Sequence, residues 1–125
     1  MKRNILAVLI VFACQAASAA GNATHLSCPG LDKRADDLLV VIDQSGGTAS
    51  LQSGKSGVGL NFTSQAAFGP SEITWRNDSK GIAQKFSVGR VSLMLKRETT
   101  SAMTGSTYVE TSPCSIAKAP ANTKI

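Results

Sequence analysis

Histidine is nearly missing from this chain: of 125 residues, only His25 could supply an imidazole. A Ser-His-Asp arrangement needs a histidine held in place by an oriented partner, and a structural zinc site wants four nitrogen or sulfur ligands. His25 would have to be pinned from an N-terminal arm to serve a triad, and with Cys14 in the leader and Cys28 expected in a disulfide the chain cannot supply four zinc ligands alone. Charge is scarce too, at 17%, beside 42% hydrophobic residues, which excludes a fully disordered chain. Gly 11 and Pro 4 exclude a collagen-like repeat, and so few cysteines exclude a disulfide-dense scaffold. The length excludes a multidomain enzyme. The longest apolar run covers residues 5–13, about half of the roughly 20 residues that a spanning helix requires.

That run belongs to an expected export leader. Lys2 and Arg3 precede it, and Ala17-Ser18-Ala19 follows as a small-x-small cleavage pattern, predicting a helical signal peptide over residues 1–19. The single mature domain then covers 20–125, with an extended arm at 20–30 and a frayed tail at 118–125. A weaker alternative is lipidation at Cys14, where Val11-Phe12-Ala13-Cys14 partly fits a lipoprotein signal but Phe12 is bulky for it. Loss of Lys2 and Arg3 lowers Lys plus Arg from 13 to 11 against 8 acids, so the mature charge is +3. That is too mild and too scattered to predict nucleic-acid binding. The adjacent pairs Lys33-Arg34 and Lys96-Arg97 read as solvated face residues. The expected location is periplasmic or secreted, with no transmembrane span.

Cys28 and Cys114 remain after the leader, 86 positions apart. In an oxidising compartment an even pair predicts one disulfide. No Cys-x-x-Cys spacing suggests redox catalysis.

Short β-branched or alternating runs recur along the mature chain, separated by Gly, Asn and Ser turns. They fall at 38–42, 48–51, 58–63, 72–77, 85–88, 90–96 and 107–111. In the 90–96 run, Val91, Leu93 and Leu95 should share one face. A charged helical turn is conceivable at 32–37, and no segment of the mature chain has a 3.6-residue apolar period. The expected fold is all-β: a small antiparallel sandwich or a partly closed barrel, stapled by Cys28–Cys114. Phe62, Phe68 and Phe86 should fill its core.

Cys28, Ile73-Thr74-Trp75, Gly89-Arg90-Val91-Ser92-Leu93, Tyr108 and Cys114 together resemble the small exported β domains of Gram-negative bacteria. That general architecture is shared with periplasmic lysozyme inhibitors. The resemblance implies an exported β module and carries no inhibitory residue over.

Chemistry-bearing motifs are thin. Residues 49–56 (ASLQSGKS) loosely fit a phosphate loop, but a strand-like stretch follows where a helix is needed, so a flexible hairpin loop is expected. Asp32, Asp36 and Asp37 near His25 and Cys28 are too few for an intrachain metal site. Glu72, Asp78, Glu98 and Glu110 show no spacing that pairs two carboxylates. Three Asn-x-Ser/Thr sequons are incidental behind a bacterial-looking leader. Cofactors and catalytic residues are therefore expected to be absent, and the protein is expected not to be an enzyme. The candidate binding residues are Trp75, Tyr108, Lys55, Arg76 and Arg90. Trp75 has core packing as its competing role. The expected function is a non-catalytic binding module of the bacterial envelope, meeting a protein partner through loops 44–57 and 66–71. The alternative is a carrier holding a small apolar ligand in a partly closed barrel.

Overall fold

A computed structural model describes residues 23–55 and 59–117. The expected leader, Cys14, the start of the arm, the tail from Lys118 and Ser56, the last residue of the phosphate-loop-like stretch, lie outside these residues. Nine antiparallel strands form the molecule: β1 (Ala23–Ser27), β2 (Leu39–Asp43), β3 (Thr48–Gln52), β4 (Phe62–Phe68), β5 (Glu72–Arg76), β6 (Ile82–Gly89), β7 (Met94–Ser101), β8 (Thr107–Pro113) and β9 (Ser115–Ala117). No helix occurs among the described residues. Each strand pairs with the next from β1 to β8, and β9 pairs with β1. β8 and β9 are two parts of one final run broken at Cys114. The first part lies on β7 and the second on β1, so the meander curls into a nearly closed barrel.

Period-two patterning explains the closure. Leu26, Val40, Ile42, Ala49, Leu51, Ile73, Trp75, Phe86, Val88 and Leu95 are all buried and face one interior. Trp75 and Phe86 are direct cross-strand partners, with ring centroids 5.6 Å apart and planes within 3° of parallel. Phe62 leans on Phe86 from the far wall, also at 5.6 Å. Phe68 is only partly buried. Burying each such side chain contributes about 1.5–3 kcal/mol.

Four features differ from the sequence-based expectation. The N-terminal arm is strand β1, paired on both sides, because Leu26 needs an inward position between β2 and β9. The segment at 32–37 forms tight turns, with Ala35 N–H donating to Asp32 O at 2.9 Å and Leu38 N–H to Ala35 O at 3.1 Å. The fourth strand starts at Phe62 and runs to Phe68, because Asn61 holds the preceding loop. Its amide accepts from Ser53 N–H at 3.0 Å and donates to Ser53 O at 2.9 Å. Finally, Val91, Leu93 and Leu95 do not share a face. Residues 90–93 form the β6–β7 turn, closed by Leu93 N–H on Gly89 O at 3.0 Å. Val91 is 95% exposed, while Leu95 is buried. Leu93 adopts the left-handed region at φ 55°, a strained choice for a residue with a branched side chain.

Alternation of direction sorts the connections into two ends. The turns at 44–47, 69–71 and 90–93 lie at one end, which we call the Arg90 end. The described connecting residues at 28–38, 53–55, 59–61, 77–81 and 102–106 lie at the other. There Leu31, Ala35 and Leu38 turn inward and are buried.

Candidate functional site

Where β1 and β8 part beyond β9, the chain segment from Cys28 to Arg34 fills the seam. Cys28 and Cys114 are disulfide-bonded. Gly30 N–H donates to Ser112 Oγ at 3.0 Å, and a Cβ on Gly30 would sit only 3.2 Å from that oxygen. Glycine therefore permits the close approach. Next comes an ion cluster. Arg97 Nη2 lies 3.3 Å from Asp32 Oδ2, and Arg97 Nε and Nη2 each donate to Glu110 at 2.9 Å. Arg34 donates to Asp32 from its backbone N–H and Nε at 3.0 Å and from Nη2 at 2.9 Å.

One expectation changes here. The sequence predicts Arg97 as a solvated neighbour of Lys96, yet it is buried, because its strand parity points it inward with Leu95 and Thr99. Asp32 and Glu110, distant in sequence, converge on that one guanidinium. The Arg34 side-chain hydrogen bonds, aided by Arg97, hold the Asp32 carboxyl well below the usual carboxylate range, against the opposing effect of burial. Asp32 is thus ionised at neutral pH and keeps no proton to donate. The cluster is an ion-pair clasp centred on Arg97. Burial periodicity on β7 is the sequence signal that would have found Arg97.

The Arg90 end is the other assembled feature. Arg90 N–H donates to Ser71 O at 2.9 Å, and its Nε donates to Gly69 O at 2.7 Å. Its Nη1 approaches Gln44 Oε1 at 3.5 Å. One residue thereby ties the three turns of this end together. Around it stand Val91, Met94 and Ile116, all exposed. Beneath it lies a cavity of about 190 Å³ whose floor includes Leu26, Ile42, Ile73 and Val88.

The remaining candidates scatter. Trp75 is 2% exposed and belongs to the core. Its Nε1 finds no hydrogen-bond partner among the described residues. Tyr108 is exposed on β8, opposite Thr99. Lys55 pairs with Asp36 at 3.3 Å, near Asp37, whose carboxyl is lowered chiefly by the Ser53 hydroxyl. Arg76 pairs with Asp78 at 3.4 Å on the outer surface. Of the five, only Arg90 lies at the Arg90 end. His25 is half-buried on β1. Among the described residues no three His, Cys, Asp or Glu side chains gather as a metal site, and no helix is long and apolar enough to cross a membrane. No family model, curated protein or solved structure matches this chain.

Proposed function

We propose that the protein is an exported, non-catalytic binding module of the bacterial envelope, and that the Arg90 end is its contact surface for a protein partner. The observation that carries this reading is the tie made by Arg90 across the turns at 44–47, 69–71 and 90–93. Loops held on a rigid scaffold bind at lower entropic cost than free ones. Apolar side chains surround the tie, with Val91 95% and Ile116 69% exposed. Exposed apolar groups rimmed by polar ones mark interaction surfaces. Two of the three turns, at 44–47 and 69–71, fall within the loops singled out from sequence.

A photo-crosslinking side chain at position 91, expressed in the native host, tests this. The expected result is a discrete protein adduct from position 91, absent when the crosslinker stands at Val109 on β8 and reduced by Arg90→Ala. Equal adducts from both positions, or none from position 91, would overturn the reading. The barrel interior is filled by Phe62, Trp75, Phe86 and Leu51, which leaves the carrier alternative without an interior cavity among these side chains.

A further inference from the structure

The described residues include four arginines, and three of them face carboxylates: Arg34 with Asp32, Arg76 with Asp78, and Arg97 with Asp32 and Glu110. Arg90 pairs with none. Its Nε is spent on a neutral carbonyl and its Nη1 reaches only an amide oxygen. Among the described residues, this unbalanced guanidinium is also the one charged group lining the cavity at the Arg90 end.

Most of the remaining lining residues are apolar. Leu26, Ile42, Ile73, Val88, Leu93 and Ile116 form the walls, and Thr24 and Gln44 add the polar groups beside Arg90. Leu93 is the one non-glycine residue of the described chain with positive φ, and it stands in this wall. Strained backbone persists where surrounding structure overrides it, and it clusters at ligand sites. An apolar pocket with a few convergent polar groups is the usual form of a small-molecule site.

We propose that this cavity binds a small monocarboxylic acid, its apolar body against Ile42, Ile73, Val88 and Leu93 and its carboxylate on Arg90. Size selects the body. An apolar cavity of about 150 Å³ accommodates benzene. The 190 Å³ present here therefore suits a phenyl or short alkyl group. Charge selects the head, because a guanidinium recognises a carboxylate by charge-assisted hydrogen bonds. The proposal goes beyond the protein-contact reading and fails separately from it, since it needs no protein partner.

The test is titration of the isotope-labelled full-length mature protein with phenylpropionate, followed by amide chemical shifts. The neutral phenylpropionamide and the bodiless anion acetate serve as comparisons. Saturable shifts confined to Ile42, Val88, Arg90, Leu93 and Ile116 are expected with phenylpropionate at millimolar concentration. The amide should bind about ten-fold more weakly, since it forfeits a hydrogen bond to a charged group. Acetate should produce no saturable shift. Arg90→Gln should abolish the preference for acid over amide, with spectral dispersion reporting an intact fold. Ile116→Glu places a carboxylate beside Arg90 and should weaken the acid more than the amide, the loss of an apolar wall being common to both. Equal binding of acid and amide, shifts spread over the outer surface, or no saturable shift with phenylpropionate would overturn the proposal.

Discussion

Arg97 and Asp32 meet across the barrel seam, Nη2 to Oδ2 at 3.3 Å, with both side chains only 7% exposed and 65 positions between them in sequence. Desolvating two charges is expensive, and attraction alone does not always repay it. Here extra hydrogen bonds make up the difference, from Arg34 on one side and to Glu110 on the other. The pair clamps the 28–38 segment onto β7 and β8 where the strand ladder is missing.

Asp32→Asn should lower stability by about 1–3 kcal/mol at neutral pH, the range for removing a buried charged hydrogen-bonding partner. The carboxyl titrates lower in the folded state than in the unfolded one, where aspartate has its ordinary value of about 3.9. Its contribution is therefore full above that value and falls away as pH drops below it. The stability gap between wild type and Asp32→Asn should stay constant between about pH 5 and 8 and shrink below about pH 4. Urea unfolding of both proteins across that range measures it. A gap unchanged in acid would remove the ion pair as its source.

Reducing Cys28–Cys114, or replacing both residues with alanine, should cost about 4–5 kcal/mol, because the bond restrains a loop of 86 positions in the unfolded chain. Thermal unfolding with and without reductant gives the value. A loss below about 1 kcal/mol would mean that the β1–β9 ladder and the ion clasp hold the seam unaided.

Trp75→Phe should cost distinctly less than the roughly 3–5 kcal/mol of a large aromatic cut to alanine. The substitution keeps a ring against Phe86 and removes an indole N–H that lacks a partner among the described residues. A buried unsatisfied donor carries a penalty of about 1–3 kcal/mol, and its removal offsets part of the lost volume. Denaturant midpoints of Trp75→Phe and Trp75→Ala, compared side by side, decide this.

Arg90→Ala should change global stability by less than about 1 kcal/mol, since its bonds are exposed. Its effect should instead be local. Amide exchange should quicken at Gln44 and Gly69, whose turns the Arg90 side chain ties, and remain unchanged at Leu31 and Leu38 at the other end, while the residue-90 N–H keeps its bond to Ser71 O. Uniform exchange changes would contradict a local tie.

Protein recovered from the native host should begin at Ala20 and weigh two hydrogens less than its reduced form. A species beginning at an acylated Cys14 would replace the soluble reading with a lipid-anchored one. Intact mass spectrometry distinguishes them.

Much of the fold was legible in particular residues. Leu38-Leu39-Val40-Val41-Ile42 and Ile73-Thr74-Trp75 carry the β-branched and period-two signals that tertiary burial reinforces. Gly46-Gly47 marks its turn because Gly47 needs φ +73°, which glycine adopts freely. The 90–93 stretch misled because its alternation mimics a strand, whereas two strands longer than expected needed a turn there. Of the candidate binding residues, Arg90 joined an assembled feature and Trp75 joined the core. Nothing local distinguishes them, since both sit in or beside alternating runs.

The sequence by itself determined the all-β class and the Cys28–Cys114 pairing, because these follow from period and counting. Only the tertiary structure decided that β8 and β9 close the meander onto β1, that Arg97 turns inward to Asp32 and Glu110, and that Arg90 spans three turns. Each of those relations joins residues far apart in the chain. Strand parity sets which face a side chain takes, but closure sets what it meets there.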